Sequence, residues 1–189
     1  MSDLLMIRKR LTVFDGFNRA DDATSLGSAD TGQVWVATDI VFGISSNKGY
    51  AVSGTFGMAT VSCDSGDINI RAKIIWKSDQ ADSIVFRTDG TMSNRMGFTI
   101  KPDNISLTKR ISDVSTELGN SAFTPGNGVE YMLEVVCQGD SFKCYLNGIE
   151  KFSLTDNNIL KSNTKHGVLL YNGLSIPTST FDNFSAGRP

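Results

Sequence analysis

Apolar and polar residues alternate in short runs along this chain, and turn-forming residues cut the runs roughly every 8 to 12 positions. A strand sends successive side chains to opposite faces, so each run buries one face and wets the other. Helical spacing is almost absent. The pattern predicts an all-β fold, a two-sheet antiparallel sandwich, with strands over 11–17, 34–38, 49–53, 58–62, 68–77, 83–88, 95–101, 105–111, 130–137, 141–146, 151–154, 166–171 and 180–185. The polar stretch 155–165 is the one segment suited to a helical turn, best seated within 154–162, and 113–127 reads as a surface loop. A chain of this length buries roughly 70% of its unfolded surface, enough for one core without metals or disulfides. The expected organisation is one domain, 11–189, behind a short leader, 1–10. Leu4, Leu5, Met6 and Ile7 of the leader suit an attachment or oligomerisation segment, or simply an edge strand.

The hairpin EYMLEVVCQGDSFKCYLNG carries its own register. Gly139-Asp140 suits a type II′ turn, which sets Cys137 opposite Phe142, Val135 opposite Cys144 and Leu133 opposite Leu146 on one face. Asn147-Gly148 suits a type I′ turn. Continuing that register puts Ile149 on the core face but Phe152 on the other, so a bulge is expected just after the turn. The two ends also rhyme, FDGFN at 14–18 against FDNFS at 181–185, either as two edge segments carrying core aromatics or as first and last strands that pair side by side.

Three strands combine an apolar stripe with a basic one. Ile68, Ile70, Ala72, Ile74 and Trp76 oppose Arg71 and Lys73; Met96, Phe98 and Ile100 oppose Arg95, Gly97, Thr99 and Lys101; Ile105 and Leu107 oppose Ser106, Thr108 and Arg110. Were these strands neighbours, Arg71, Lys73, Arg87, Arg95, Thr99, Lys101, Thr108 and Arg110 would share one exposed sheet face. That face would suit acidic or hydroxyl-rich glycans, although a plain solvated face needs no ligand. Trp35, Trp76 and Tyr171 are the aromatic side chains available as sugar platforms, with Trp76 on the core stripe.

Other chemistries find little support. Eighteen basic and 20 acidic residues give a formal charge of -2, which offers no bulk attraction to nucleic acid or an anionic membrane. A single His argues against a catalytic imidazole or a His-rich zinc site. Three cysteines form no disulfide framework and read as buried thiols. The apolar run in the leader is too short for a signal peptide, and no stretch of about 18 apolar residues occurs. The expectation is synthesis in the cytoplasm without cleavage and no membrane insertion. Glu130 and Glu134, the nearest carboxylate pair on one strand, would stand about 13 Å apart, whereas a glycosidase wants roughly 5 to 10 Å.

The opening FDGFNRADDATSLGSADTGQVW resembles the start of a concanavalin A-like lectin/glucanase domain, a group that includes laminin G-like modules. The resemblance rests on FNRAD at 17–21, Leu26-Gly27 and the Trp35 strand. It continues through YLNG at 145–148, HGV at 166–168 and FDNF at 181–184, over nearly the whole chain. It implies a jelly roll of two curved antiparallel sheets that meets glycans on its concave sheet. Members include lectins, polysaccharide-degrading enzymes and phage tail or head-fibre domains. The Glu-x-Asp-x-x-Glu arrangement of the β-glucan-cleaving members does not occur here. The resemblance therefore implies a non-enzymatic surface or tail component of a virion that binds a glycan or cell-surface polysaccharide. Other virion proteins, or further copies of the chain, are the expected protein partners. A purely architectural role and a polysaccharide-active hydrolase are the alternatives. Several members bind calcium, and Asp15, Asn18, Asp21, Asp22 and Asp182 supply hard oxygen atoms for it if the termini meet; Asx turns account for most of them otherwise.

Overall fold

The computed structural model describes residues 11–77, 81–157, 159–171 and 179–189; the leader, 1–10, lies outside them. Fifteen strands among these residues pair antiparallel into two sheets. The first sheet runs β13 (Ile149–Thr155), β12 (Ser141–Leu146), β11 (Glu130–Gln138), β6 (Ile68–Ile75), β15 (Thr180–Gly187), β4 (Lys48–Ser53), β3 (Val41–Ser45). The strand β1 (Leu11–Asp15) also pairs with β15. The second sheet runs β10 (Val114–Ala122), β9 (Asn104–Ile111), β8 (Arg95–Ile100), β7 (Asp82–Thr88), β14 (Lys165–Tyr171), β5 (Phe56–Ser62), β2 (Val36–Thr38). A single 3-10 turn, Ile159–Ser162, falls where a helical turn was expected.

The inner faces meet in one core. Ile68, Ile70, Ala72 and Ile74 of β6 lie in it with Ile84 and Phe86 of β7 and Met96 and Phe98 of β8, all fully buried. One end is aromatic: Phe17 meets Phe181 edge-on at 5.1 Å, and Trp35 meets Phe184 at 5.0 Å. Beside them the buried Asp15 accepts hydrogen bonds from Trp35 Nε1 at 2.7 Å, Phe17 N at 2.8 Å and both terminal nitrogens of Arg19 at 2.8 and 2.9 Å. The first and last strands do pair, with Phe14 opposite Ser185.

The hairpin register is as the sequence sets it, Cys137 to Phe142, Val135 to Cys144 and Leu133 to Leu146. Gly139 has φ 56°. Asn147 and Gly148 are both left-handed, as a type I′ turn requires. The register then shifts so that Phe152 faces Cys144. The bulge thus turns Phe152 towards the core, where its ring meets Phe98 at 5.9 Å.

Three expectations change. Residues 113–127 are not a loop: β10 occupies most of the segment, paired to β9 through a left-handed turn at Ser112 and Asp113. Its side chains are mostly exposed because it is an edge strand, so it carries no apolar alternation to read. A further strand, β3, forms a hairpin with β4 through Ser46 and Asn47, both at positive φ. Finally, β6 does not adjoin β8 and β9; it sits in the other sheet between β11 and β15.

Candidate functional site

Three apolar side chains are buried on the wrong side of a sheet. Met58 of β5, Val85 of β7 and Leu169 of β14 form a cluster separate from the main core, with Met92 from the β7–β8 connection packed against it. Alternation explains their direction, since Ile84 and Phe86 point into the core and Val85 therefore points out. An outward residue with no exposure marks a recess. The recess is about 140 Å³ and is lined by Phe56, Ala81, Ser83, Val85, Arg95, Gly97, Thr99, Lys101, Thr108 and Leu169.

Cross-strand register assembles it. Ser83 of β7 stands opposite Thr99 of β8, and their hydroxyls hydrogen-bond at 2.7 Å. Gly97 stands between Val85 and Thr108. A Cβ at Gly97 would lie 3.4 Å from Thr108 Oγ1, 3.7 Å from Thr99 Oγ1 and 4.0 Å from Ser83 Oγ. The glycine thus leaves a floor with three hydroxyls round it. At the rim Phe56 faces Tyr171 across β5 and β14, their ring centroids 6.2 Å apart. The Arg95 guanidinium lies 5.9 Å from the Phe56 centroid.

The charges around the recess are unequally answered. Lys101 reaches Glu117 at 3.5 Å, and Arg110 reaches Asp113 at 2.9 Å and Ser115 at 3.3 Å. Arg95 makes no ion pair among the described residues, and its Nη1 is enclosed without a hydrogen-bond partner. Burial, with Arg110 directly opposite, pushes its guanidinium down to about 10, so it remains cationic at neutral pH.

Of the basic and hydroxyl residues read from the sequence, the structure brings Arg95, Thr99, Lys101, Thr108 and Arg110 together on the outer face of the second sheet, with Arg110 just outside the lining. The other three lie elsewhere. Arg71 and Lys73 belong to β6 in the opposite sheet, where Arg71 bonds Ser185 and Lys73 pairs with Glu130 at 2.8 Å. Arg87 is wholly buried. Its Nε donates to Gly66 O at 2.9 Å, its Nη2 to Asp67 Oδ1 at 2.9 Å and Gly139 O at 2.7 Å, and its guanidinium lies over Phe142. Arg87 has φ 49°, and the β14 pairing slips beside it. One left-handed residue breaks the alternation, so a side chain counted outward turns in.

Trp35 and Trp76 are both buried in the core, and Tyr171, although it packs on Phe56 at the rim, does not itself line the recess. Phe56, Ser83 and Gly97 were not singled out from the sequence. Gly97 and Thr99 share parity on one strand, which was the available signal for the floor; Phe56 lay just outside the strand drawn over 58–62.

The acidic residues of the first and last segments are each bonded within the chain. Asp15 is taken by Arg19 and Trp35; Asp22 caps Thr24 at 2.7 Å; Asp21 accepts from Ser46 N at 2.9 Å; Asp182 bonds Asn183 on β15. The Asn18 Nδ2 would be the nearest atom to a Cβ on Gly16. Among the described residues no group of three or more His, Cys, Asp or Glu could hold a metal ion. The strands β1 and β15 meet, but each carboxylate is turned to a nearby N–H or cation.

No protein-family model and no curated protein matches the chain. Among solved structures it is similar to the carbohydrate-binding module CBM66 from Bacillus subtilis, with a TM-score of 0.72 and 17% identity over 81% of this chain and 94% of that one. The Emp47p carbohydrate recognition domain gives a TM-score of 0.69 and 9% identity over 95% and 97% of the two chains. Domain 4 of AbnA, an extracellular arabinanase from Geobacillus stearothermophilus solved with arabinotriose, gives 0.60 and 15% over 95% and 92%. At these identities the likeness is one of architecture: the chain has the concanavalin A-like jelly-roll fold.

Proposed function

We propose that this chain is a non-enzymatic glycan-binding module whose ligand lies in the recess on the outer face of the second sheet. The observation that carries the reading is the recess itself, with three hydroxyls round a glycine floor, an aromatic rim and a cation that makes no ion pair among the described residues. Sugars present a ring face to aromatic side chains and hydroxyls to short polar ones, and this surface offers both partners. The lining among the described residues contains no carboxylate, whereas hydrolysis of a glycosidic bond asks for two on either side of the bond. The solved structures of like fold include a carbohydrate-binding module and a carbohydrate recognition domain, which agrees with this use of the fold. The setting we propose is the surface, tail or fibre of a virus particle; that part rests on the sequence resemblance, and finding the chain in purified particles tests it.

Binding of the purified protein to a printed glycan panel tests the site. Specific binding is expected, and Gly97→Ala is expected to abolish it, because the added methyl fills the floor at ordinary contact distances without disturbing the strand. Chelation should leave binding unchanged, since the terminal aspartates are already bonded within the chain. Absence of binding by folded protein, or binding indifferent to Gly97→Ala, would move the function to an architectural one or the site to another surface.

A further inference from the structure

We propose that the recess selects a singly anionic sugar, with Arg95 as the residue that reads the charge. The inference rests on the glycan-binding reading above and names the ligand class. Three cations border the recess, but they are not equivalent. Lys101 and Arg110 are each answered by a carboxylate of the protein, Glu117 and Asp113. Arg95 is held over Phe56, half-buried with its Nη1 enclosed, and has no carboxylate within ion-pair distance among the described residues. Arg110 Nε and Arg87 Nη1 are also enclosed without an acceptor, so what sets Arg95 apart is the missing ion pair, and a partly buried charge without one costs free energy. The opposing Arg110 makes that cost larger. Asp113 acts on Arg95 only from beyond ion-pair distance and is itself bonded to Arg110, so a directly paired negative charge on a hydroxylated ligand is what the recess lacks.

Geometry favours an anion on the ring rather than a free one. Ser83, Thr99 and Thr108 lie along the floor from Arg95 in the order set by β7, β8 and β9. A ring seated on Gly97 therefore reaches the hydroxyls with one edge and Arg95 with a substituent. A guanidinium pairs with carboxylates and sulfate esters alike through a planar fork of donors. The shared chemistry is thus a monoanionic sugar, a uronate or a monosulfated residue.

The test uses the whole chain and a panel of matched oligosaccharides: trigalacturonate with its methyl ester, glucuronate- and glucose-ended chains, and sulfated with desulfated galactans. The expected binders are acidic members. Esterification or desulfation should weaken them roughly 10- to 100-fold, the range for a hydrogen bond to a charged group. Arg95→Gln should erase the preference of acid over neutral partner, while Arg95→Lys should keep part of it. Carboxylate-bearing and sulfated winners would each support the proposal and tell its two sources apart. Neutral binders that are lost on Gly97→Ala, or an acid preference that survives Arg95→Gln, would overturn the charge assignment and leave the glycan site standing. No binding by any member, with a cooperative unfolding transition intact, would overturn both.

Discussion

Arg87 and Arg95 show how one residue type serves opposite ends. Arg87 is enclosed on every side, and two of its guanidinium nitrogens are met by two carbonyl oxygens and Asp67, while Nη1 has no partner. Removing it takes the guanidinium donor from Gly139 O, leaves Gly66 O with only the Cys137 thiol at 4.0 Å, and opens a void over Phe142. Unsatisfied buried acceptors cost about 1–3 kcal/mol each. Arg87→Ala should therefore lower the unfolding free energy by about 3 kcal/mol in urea titration, with no effect on glycan affinity at temperatures where the variant is folded. A variant with native stability and lost binding would contradict this assignment. Arg95→Gln should do the reverse: near-native stability or better, since it removes an unpaired cation, and altered ligand choice. Nothing in the sequence separated the two arginines. Both stand at polar positions beside apolar neighbours, and only the left-handed backbone at Arg87 turns it inward. Such a break is invisible to an alternation pattern because arginine gives no sign of it, whereas the glycines and asparagines of the turns do.

Within single strands, glycine makes a similar contrast. Gly49 of β4 faces the core, and a Cβ there would sit 2.3 Å from the Phe181 ring. Phe181 is fully buried and bounded by Phe17, Phe42 and Trp35, so it has no room to retreat. Overpacking of this kind costs about 1–3 kcal/mol. Gly49→Ala should fall in that range by thermal or urea denaturation, while Gly97→Ala, with open contacts, should be within about 1 kcal/mol of wild type. If Gly97→Ala destabilised as much as Gly49→Ala, its loss of binding would say nothing about the floor. Strands with one buried face were legible in the sequence, and so was the hairpin 130–148, because turn residues fixed its register. The edge strand β10 was not, because an edge with both faces wet carries no alternation. The four lining residues read from the sequence, Arg95, Thr99, Lys101 and Thr108, lie on β8, just after it and on β9, adjacent in sequence and space; Phe56 comes from β5, which reaches this face only through β14, an adjacency no local pattern records.

Across the whole molecule, what the sequence could not give was which sheet each strand joins. A period of two reads the same in either sheet, and the chain changes sheet between β5 and β6 and again between β6 and β7. That single assignment separates Arg71 and Lys73 from the recess by the thickness of the sandwich. The interior formed by this weave holds two ionisable groups linked to the ends of β14, and they set a pH dependence for the molecule. His166, enclosed between Arg87 N and Ser65 O, is pushed down to about 4 by burial. Asp82, which accepts from Tyr171 N and has an enclosed Oδ2 without a partner, is pushed up to about 7 by burial. For His166 the unfolded chain binds the proton more readily, so its contribution is present above about pH 6.5 and is lost as pH falls towards 4. For Asp82 the folded state holds the proton more readily, so its contribution is present below about pH 4 and is lost as pH rises through 7. Between about pH 4.5 and 6.5 the two slopes oppose each other, and the wild type should change little in stability. Asp82→Asn removes one of them. The variant should gain stability as pH rises across that window, by up to about 1.4 kcal/mol per pH unit, and should exceed the wild type at pH 8 while matching it near pH 4. Urea titrations of both proteins at pH 4.5, 6 and 8 measure this directly. Parallel profiles would mean that Asp82 ionises in the folded state as freely as in the unfolded chain, and that its enclosed oxygen is reached by water.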